Sequence, residues 1–233
     1  MLKQFMRPAV SIVIPVFHEA HIINPLVGHL LRMPFAGKRE IIVVDGAASG
    51  DSLRAIRDPR AVKLRSTRGR AVQMNTGARH ATGDILLFLH ADTRLPDDGL
   101  ERIIEALQAK DFVGGAFDLA IDSPRPCFRW IEKAASRRSR ITRIPYGDQA
   151  IFIRKAYFLR HGGFAAIPIM EDVELMRRIR RRGDRIILLP HRVTTSARRW
   201  ERTGVCRNTL RNWMLLILYH AGVAPERLSL FYR

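Results

Sequence analysis

The chain has 233 residues, 47% of them hydrophobic, and its 40 Lys and Arg against 22 Asp and Glu give a formal charge of +18. That is enough chain to bury a real core in one or two domains, and the charge attracts polyanions, anionic lipid headgroups or phosphorylated small molecules without choosing among them. Two distant cysteines, Cys127 and Cys206, exclude a disulfide framework and a cysteine zinc site, and they fit a reducing cytoplasm.

The opening stretch, "MLKQFMRPAVSIVIPVF", imitates a secretory leader, but Pro8 and Pro15 bracket its apolar part and no small-residue cleavage site follows. It is read as a first buried strand. Apolar, β-rich runs then recur at 10–17, 40–46, 61–67 and 84–92. Helix-like stretches lie between and after them, at 19–33, 51–58, 69–82 and 97–109. Strands alternating with helices predict βαβ units, and the unbroken apolar runs predict a mostly parallel central sheet covered by helices on both faces. Ligands of such sheets bind beyond the carboxyl ends of the strands, where Asp45, His90 and Asp92 fall.

The second half is less regular. Residues 112–121 and 148–155 read as strands, and 127–140 as a helix or loop with a basic end. A helix is predicted over 171–183, with Glu171 and Asp172 at its positive end and Gly183 at its stop. A short strand follows at 185–190, then a last helix over about 204–222. The apolar run 213–223 is too short to cross a bilayer, which takes about 20 residues. No repeat or linker divides the chain, so one domain, 1–233, is expected, with a first half of about 1–110 and a second half of about 111–233.

Each polar feature has a functional and a plain reading. Asp92 at a strand mouth is either a turn residue before Pro96 or a ligand for a hard divalent cation bridging a diphosphate. His90, two residues earlier, is a ligand better suited to manganese than to magnesium. Asp45 before Gly46 is a turn residue or a partner for ribose or base edges, and Glu19 is placed to cap the first helix. Arg65, Arg68 and Arg70 surround a helix start near Gly69 that suits phosphate. Glu171 and Asp172 either cap a helix or divide the roles of base and orienting group. Arg198 and Arg199 beside Trp200 form a phosphate clamp or a surface cation–π contact.

Taken together, "SIVIPVFHEA", "EIIVVDGAASGDS", "RGRAVQMNTGARHATGDILLFLHADTRLP", "GDQAIFIRKAYFLRHGGF" and "MEDVELMRRIRRRG" resemble the family 2 inverting glycosyltransferases. The resemblance covers most of residues 10–183. It implies an α/β GT-A (Rossmann-like) fold with a helical C-terminal extension, a nucleotide-sugar donor, usually a UDP-sugar, and Mn2+ or Mg2+. It places the base and ribose at Pro15, Phe17, Glu19 and Asp45, and makes Asp172 the general base beside Glu171. It maps the Asp-x-Asp metal motif onto His90-Ala91-Asp92, so a histidine stands where the first carboxylate is usual. Arg199 and Trp200 resemble a segment near the diphosphate and acceptor. The "SARRWERTG" stretch is similar to a bacterial subgroup associated with arsenosugar or selenodomain gene clusters.

Other readings stay open on the residues alone. A +18 chain suits a non-catalytic binder of nucleic acid or of a membrane surface. Against nucleic acid, the arginines have no aromatic interleaving and no known binding motif. A nucleotidyltransferase would carry a Gly-rich, Lys-bearing loop near its start, and none is present. Residues 204–222 suit either a helix lying on an anionic membrane face or a core or homodimer helix. The sugar and the acceptor are not legible.

Overall fold

The computed structural model describes residues 8–231. The leader-like residues 1–7 lie outside them. The strands are β1 (Val10–Val16), β2 (Arg39–Asp45), β3 (Ala61–Arg65), β4 (Ile85–Phe88), β5 (Thr93–Arg94), β6 (Phe112–Asp122), β7 (Phe152–Arg154) and β8 (Arg185–Ser196). They form one eight-stranded sheet in the order β3-β2-β1-β4-β7-β6-β8-β5. The β1–β2, β2–β3, β1–β4 and β6–β8 pairs are parallel, and β4–β7, β6–β7 and β5–β8 are antiparallel. The sheet is therefore mostly parallel, as expected, with β7 inserted against the chain direction of its neighbours.

The unbroken apolar runs follow from burial on both faces. Ile12 and Ile14 of β1 join one core cluster, with Leu26, Val27 and Leu30 of α1 (Ile23–Arg32). A short helix, α2 (Asp51–Ala55), links β2 and β3. Val13, between the two isoleucines, points the other way. It packs with Met74 and Ala78 of α3 (Arg70–His80). A Cβ at Gly77 would collide with Val13, so a glycine is required for α3 to lie this close to β1. On the first face, Leu100, Ile103 and Ile104 of α4 (Gly99–Ala106) complete the cover.

Residues 127–140, read as a helix or loop, lie within one long helix, α5 (Pro126–Thr142), entered through proline at its start. The second half departs from expectation at two places. The run 148–155 is not a single strand. Gly147–Gln149 is a 3-10 turn, Ala150 takes a left-handed φ of 50°, and only Phe152–Arg154 pairs before α6 (Lys155–Arg160) begins. The reason is local hydrogen bonding: Gln149 donates to the Phe117 carbonyl at 2.9 Å and accepts from the Tyr146 amide at 3.1 Å, which pins the turn. The strand read at 185–190 runs on to Ser196, because β6 offers a partner as far as Asp122.

Helix α7 (Glu171–Arg181) packs Val173, Leu175, Met176 and Ile179 against the second face. Its Glu174–Arg178 pair closes at 3.0 Å. The expected C-terminal extension is helical: α8 (Arg198–Thr203), α9 (Val205–His220) and α10 (Pro225–Leu230). No helix among the described residues is long and apolar enough to cross a membrane.

Candidate active site

One cavity of about 560 Å³ opens beyond the carboxyl ends of β1 and β4 and beneath α8 and α9. Of the residues to which the family resemblance gives a role, all line it except Asp45 and Glu171, and of the arginines read as phosphate partners Arg65 and Arg198 do not. Asp45 and Glu171 are buried behind its walls.

The first wall is the end of β1. Pro15 and Phe17 face the cavity, and the Arg68 guanidinium lies 4.6 Å from the centre of the Phe17 ring. Next in sequence, His18 takes a left-handed φ of 58°, which turns the chain sharply out of the strand. The expected capping role of Glu19 does not occur: its carboxylate accepts from Arg198 of α8 at 3.2 Å instead. Its own amide donates to Ser52 Oγ at 3.0 Å. An ion pair thus joins the first loop to the C-terminal extension across the cavity.

Asp45 closes β2, fully buried. Its Oδ1 accepts from the Ala47 amide at 2.8 Å, whereas Oδ2 is buried with no partner. A buried carboxylate oxygen left unpaired is costly and is an acceptor awaiting a donor. Beside it, Gln73 of α3 donates to the carbonyls of Val16 at 2.7 Å and Val44 at 2.8 Å. It ties the ends of β1 and β2 together at the site. Sequence reasoning passed over Gln73, although a glutamine on the buried face of a helix is a visible signal.

The floor is the segment after β4. The strand ends at Phe88, so His90 does not share a strand face with Asp92 as the run 84–92 suggested. Thr93 donates to the His90 carbonyl at 3.1 Å, closing a turn that brings both side chains to the cavity. Burial, reinforced by Arg70 and Arg199, pushes the His90 imidazole down to about 3. It stays neutral near pH 7, with a nitrogen lone pair available.

The far wall comes from two segments with no chemistry assigned to them by sequence, Tyr146–Asp148 and Asn208–Leu216. Burial first, then the Asp172 and Asp92 carboxylates, push the Asp148 carboxyl up to about 6, against the opposing pull of Arg138 and Arg199. The Arg138 guanidinium lies 3.2 Å from the Tyr146 ring centre and donates to Gln149 Oε1 at 3.3 Å. The motif "YGDQ" could have been flagged as a polar break ahead of an apolar run. Asn208 is fully buried, lines the cavity, and leaves its Nδ2 without a partner.

Glu171 and Asp172 separate cleanly. Met170, at a left-handed φ of 66°, turns the chain into α7. Glu171 points inward, 1% exposed, and its Oε1 meets Arg70 Nη1 at 3.3 Å. Burial raises its carboxyl above the usual range despite Arg70. Asp172 faces the cavity. Its Oδ2 accepts from the Gly147 amide at 2.6 Å and its Oδ1 from the Val173 amide at 2.7 Å. The two bonds fix the carboxylate while leaving each oxygen a free acceptor direction.

Among the described residues, no group of three or more His, Cys, Asp or Glu side chains gathers in a metal-binding arrangement. Asp92, His90 and Asp148 nevertheless share the cavity. Asp148, raised by burial and by the Asp172 and Asp92 carboxylates, beside a neutral imidazole makes a donor set that could hold a divalent cation.

The model of glycosyl transferase family 2 matches residues 11–168. The chain belongs to glycosyltransferase family 2. The family 2 match spans the β1, β2 and β4 ends and the 3-10 turn that carries Asp148. An undecaprenyl-phosphate 4-deoxy-4-formamido-L-arabinose transferase from Sodalis glossinidius is 30% identical over 161 residues, 62% of this chain and 48% of that protein. An N-acetylglucosaminyltransferase from Bradyrhizobium elkanii is 28% identical over 127 residues, 51% of this chain and 69% of that one. The chain thus spans about half the length of the first of these relatives. Among solved structures, the mannosyltransferase PcManGT from Pyrobaculum calidifontis, in complex with GDP-Man and Mn2+, superposes with a TM-score of 0.65 at 25% identity. The match covers 81% of this chain and 56% of that one. The S. aureus TarS fragment 1–349 in complex with UDP gives the same TM-score at 15% identity, covering 81% and 60%, a likeness of fold alone. The family 2 domain here has the GT-A arrangement.

Proposed function

We propose that this family 2 domain transfers a sugar from a nucleotide-sugar donor, a UDP-sugar, to an acceptor hydroxyl with inversion at the anomeric carbon. The observation that carries the reading is the Asp172 carboxylate, fixed by two backbone amides at the wall of a cavity that also holds His90, Asp92 and three arginines. The base of the donor lies against Phe17 and Arg68, and the unpaired Asp45 Oδ2 accepts from its ribose or base. Arg70 and Arg199 face the diphosphate. Asp172 takes the proton of the acceptor hydroxyl as that oxygen attacks from the face opposite the nucleotide. The bond to the diphosphate breaks, and the charge that develops there is met by the arginines. Asp92, with His90 and Asp148 beside it, would hold a divalent cation, manganese before magnesium. When bound, the cation neutralises the leaving diphosphate.

The bound GDP-Man and Mn2+ of the mannosyltransferase support the donor class. The choice of UDP over GDP rests on the motif resemblance. The narrower bacterial subgroup rests on the "SARRWERTG" resemblance alone, and the exposed free thiols of Cys127 and Cys206 support a reducing, cytoplasmic setting. A thermal-shift series with UDP, GDP and short DNA, each with manganese or with chelator, tests the reading. UDP with manganese should raise the melting temperature most. No shift with either nucleotide, alongside a clear shift with DNA, would replace the transferase reading with that of a binding module.

A further inference from the structure

Helix α9 has two faces of opposite character. Asn208, Asn212, Leu215 and Leu216, spaced as one helical stripe, line the cavity. On the other side Leu210, Trp213, Met214 and Ile217 form a second stripe that touches solvent, with Leu210 72%, Trp213 62% and Ile217 65% exposed. α10 packs on α9 and ends in two more exposed apolar residues, Leu230 and Phe231. A contiguous apolar stripe left in water marks an interaction surface.

We propose that the outer face of α9, with the end of α10, docks on an anionic phospholipid bilayer. Three observations select this occupant. The face is flanked by exposed Arg202, Arg207 and Arg227, and no Asp or Glu falls between Glu201 and Glu226. A second copy of the chain would present the same excess of cations, on a molecule of net charge +18, so charge opposes self-pairing. Aliphatic Leu210, Met214 and Ile217 offer nothing to a phosphate backbone, whereas an aliphatic stripe bordered by arginines, with Trp213 at its centre, matches the headgroup–acyl boundary. The helix is not long and apolar enough to span, so it lies on the surface. Because the same helix forms a cavity wall, docking sets the cavity mouth at the headgroups, where an amphiphilic acceptor would present its polar end to Asp172. That last step rests on the transferase reading; the docking does not.

Co-sedimentation of the full chain with vesicles of phosphatidylcholine, or of phosphatidylcholine with phosphatidylglycerol, tests it. Binding should require phosphatidylglycerol, weaken with salt, and fall by about tenfold or more in the triple variant Leu210→Glu, Trp213→Glu, Ile217→Glu. Quenching by brominated lipid supplies a readout on the folded wild type. Quenching in wild type that is lost in Trp213→Phe, with Trp130 and Trp200 still present, supports docking. Equal sedimentation of wild type and triple variant overturns it. So does an absence of binding, whether the chain is a monomer or a dimer that the triple variant dissociates. A UDP thermal shift on the same samples keeps the two readings apart: a shift without vesicle binding removes only the docking, and vesicle binding without a shift removes only the transferase.

Discussion

Asp172 Oδ2 accepts a 2.6 Å hydrogen bond from the Gly147 amide, so the first turn of α7 and the 3-10 turn before β7 meet at one carboxylate oxygen. The two residues are 25 apart in sequence, and no local signal links them. A Cβ added at Gly147 would lie 3.1 Å from His90 Nε2 and 3.4 Å from Asp172 Oδ2. The glycine is therefore the space in which the two side chains sit.

Gly147→Ala should fold and bind nucleotide, yet lose transfer by roughly tenfold or more, because small displacements of a reacting group are expensive. Steady-state rates beside a UDP thermal shift check this. Wild-type turnover in the variant would show that the approach of Gly147 to His90 and Asp172 is incidental.

Gln73→Ala should act on stability first. It removes both donors to the Val16 and Val44 carbonyls in a buried setting, a loss of about 2–4 kcal/mol. Denaturant unfolding should give a lower midpoint with an unchanged slope. Nucleotide affinity should fall with it, since Gln73 fixes the strand ends next to Asp45.

The Asp148 carboxyl is pushed up to about 6 from an ordinary 3.8, so the folded state binds this proton more tightly than the unfolded state does. Its ionisation costs stability, fully above pH 6 and not at all below about 4. In chelator, Asp148→Asn should melt higher than wild type at pH 8, and the gap should close as the pH falls from 6 toward 4. A gap independent of pH would mean that Asp148 ionises freely.

The α/β order, the parallel sheet and the strand-end carboxylates were legible because burial on both faces writes an unbroken apolar run, and the first charged residue marks where it ends. Val13 between Ile12 and Ile14 shows the rule: neighbours enter opposite cores, so both are apolar. Asp148, Asn208 and Gly147 were not legible as site residues. Their roles arise from the antiparallel insertion of β7 and from the folding of α9 over the sheet, which join distant segments. The left-handed turn at Met170 has no residue-level signature, since methionine does not favour that conformation. The family motifs reached Asp172, Asp92 and Arg199 by position, whereas the division between an inward Glu171 and a cavity-facing Asp172 is set by how α7 packs on the sheet.

His90 stands where a carboxylate is usual, and its neutral imidazole favours a softer cation. Manganese should support faster transfer than magnesium in wild type, and His90→Asp should narrow the difference. Equal rates with the two metals in both proteins would remove His90 from the cation's surroundings.

The central claim is that Asp172 is the base and Glu171 a buried support paired with Arg70. The most direct measurement is transfer and nucleotide binding in Asp172→Asn beside Glu171→Gln. Asp172→Asn should lose about 10²–10⁴ in turnover, the range typical of a general base, while keeping the UDP thermal shift. Glu171→Gln should instead change the melting temperature, with the smaller effect on turnover. Near wild-type turnover in Asp172→Asn would contradict the account.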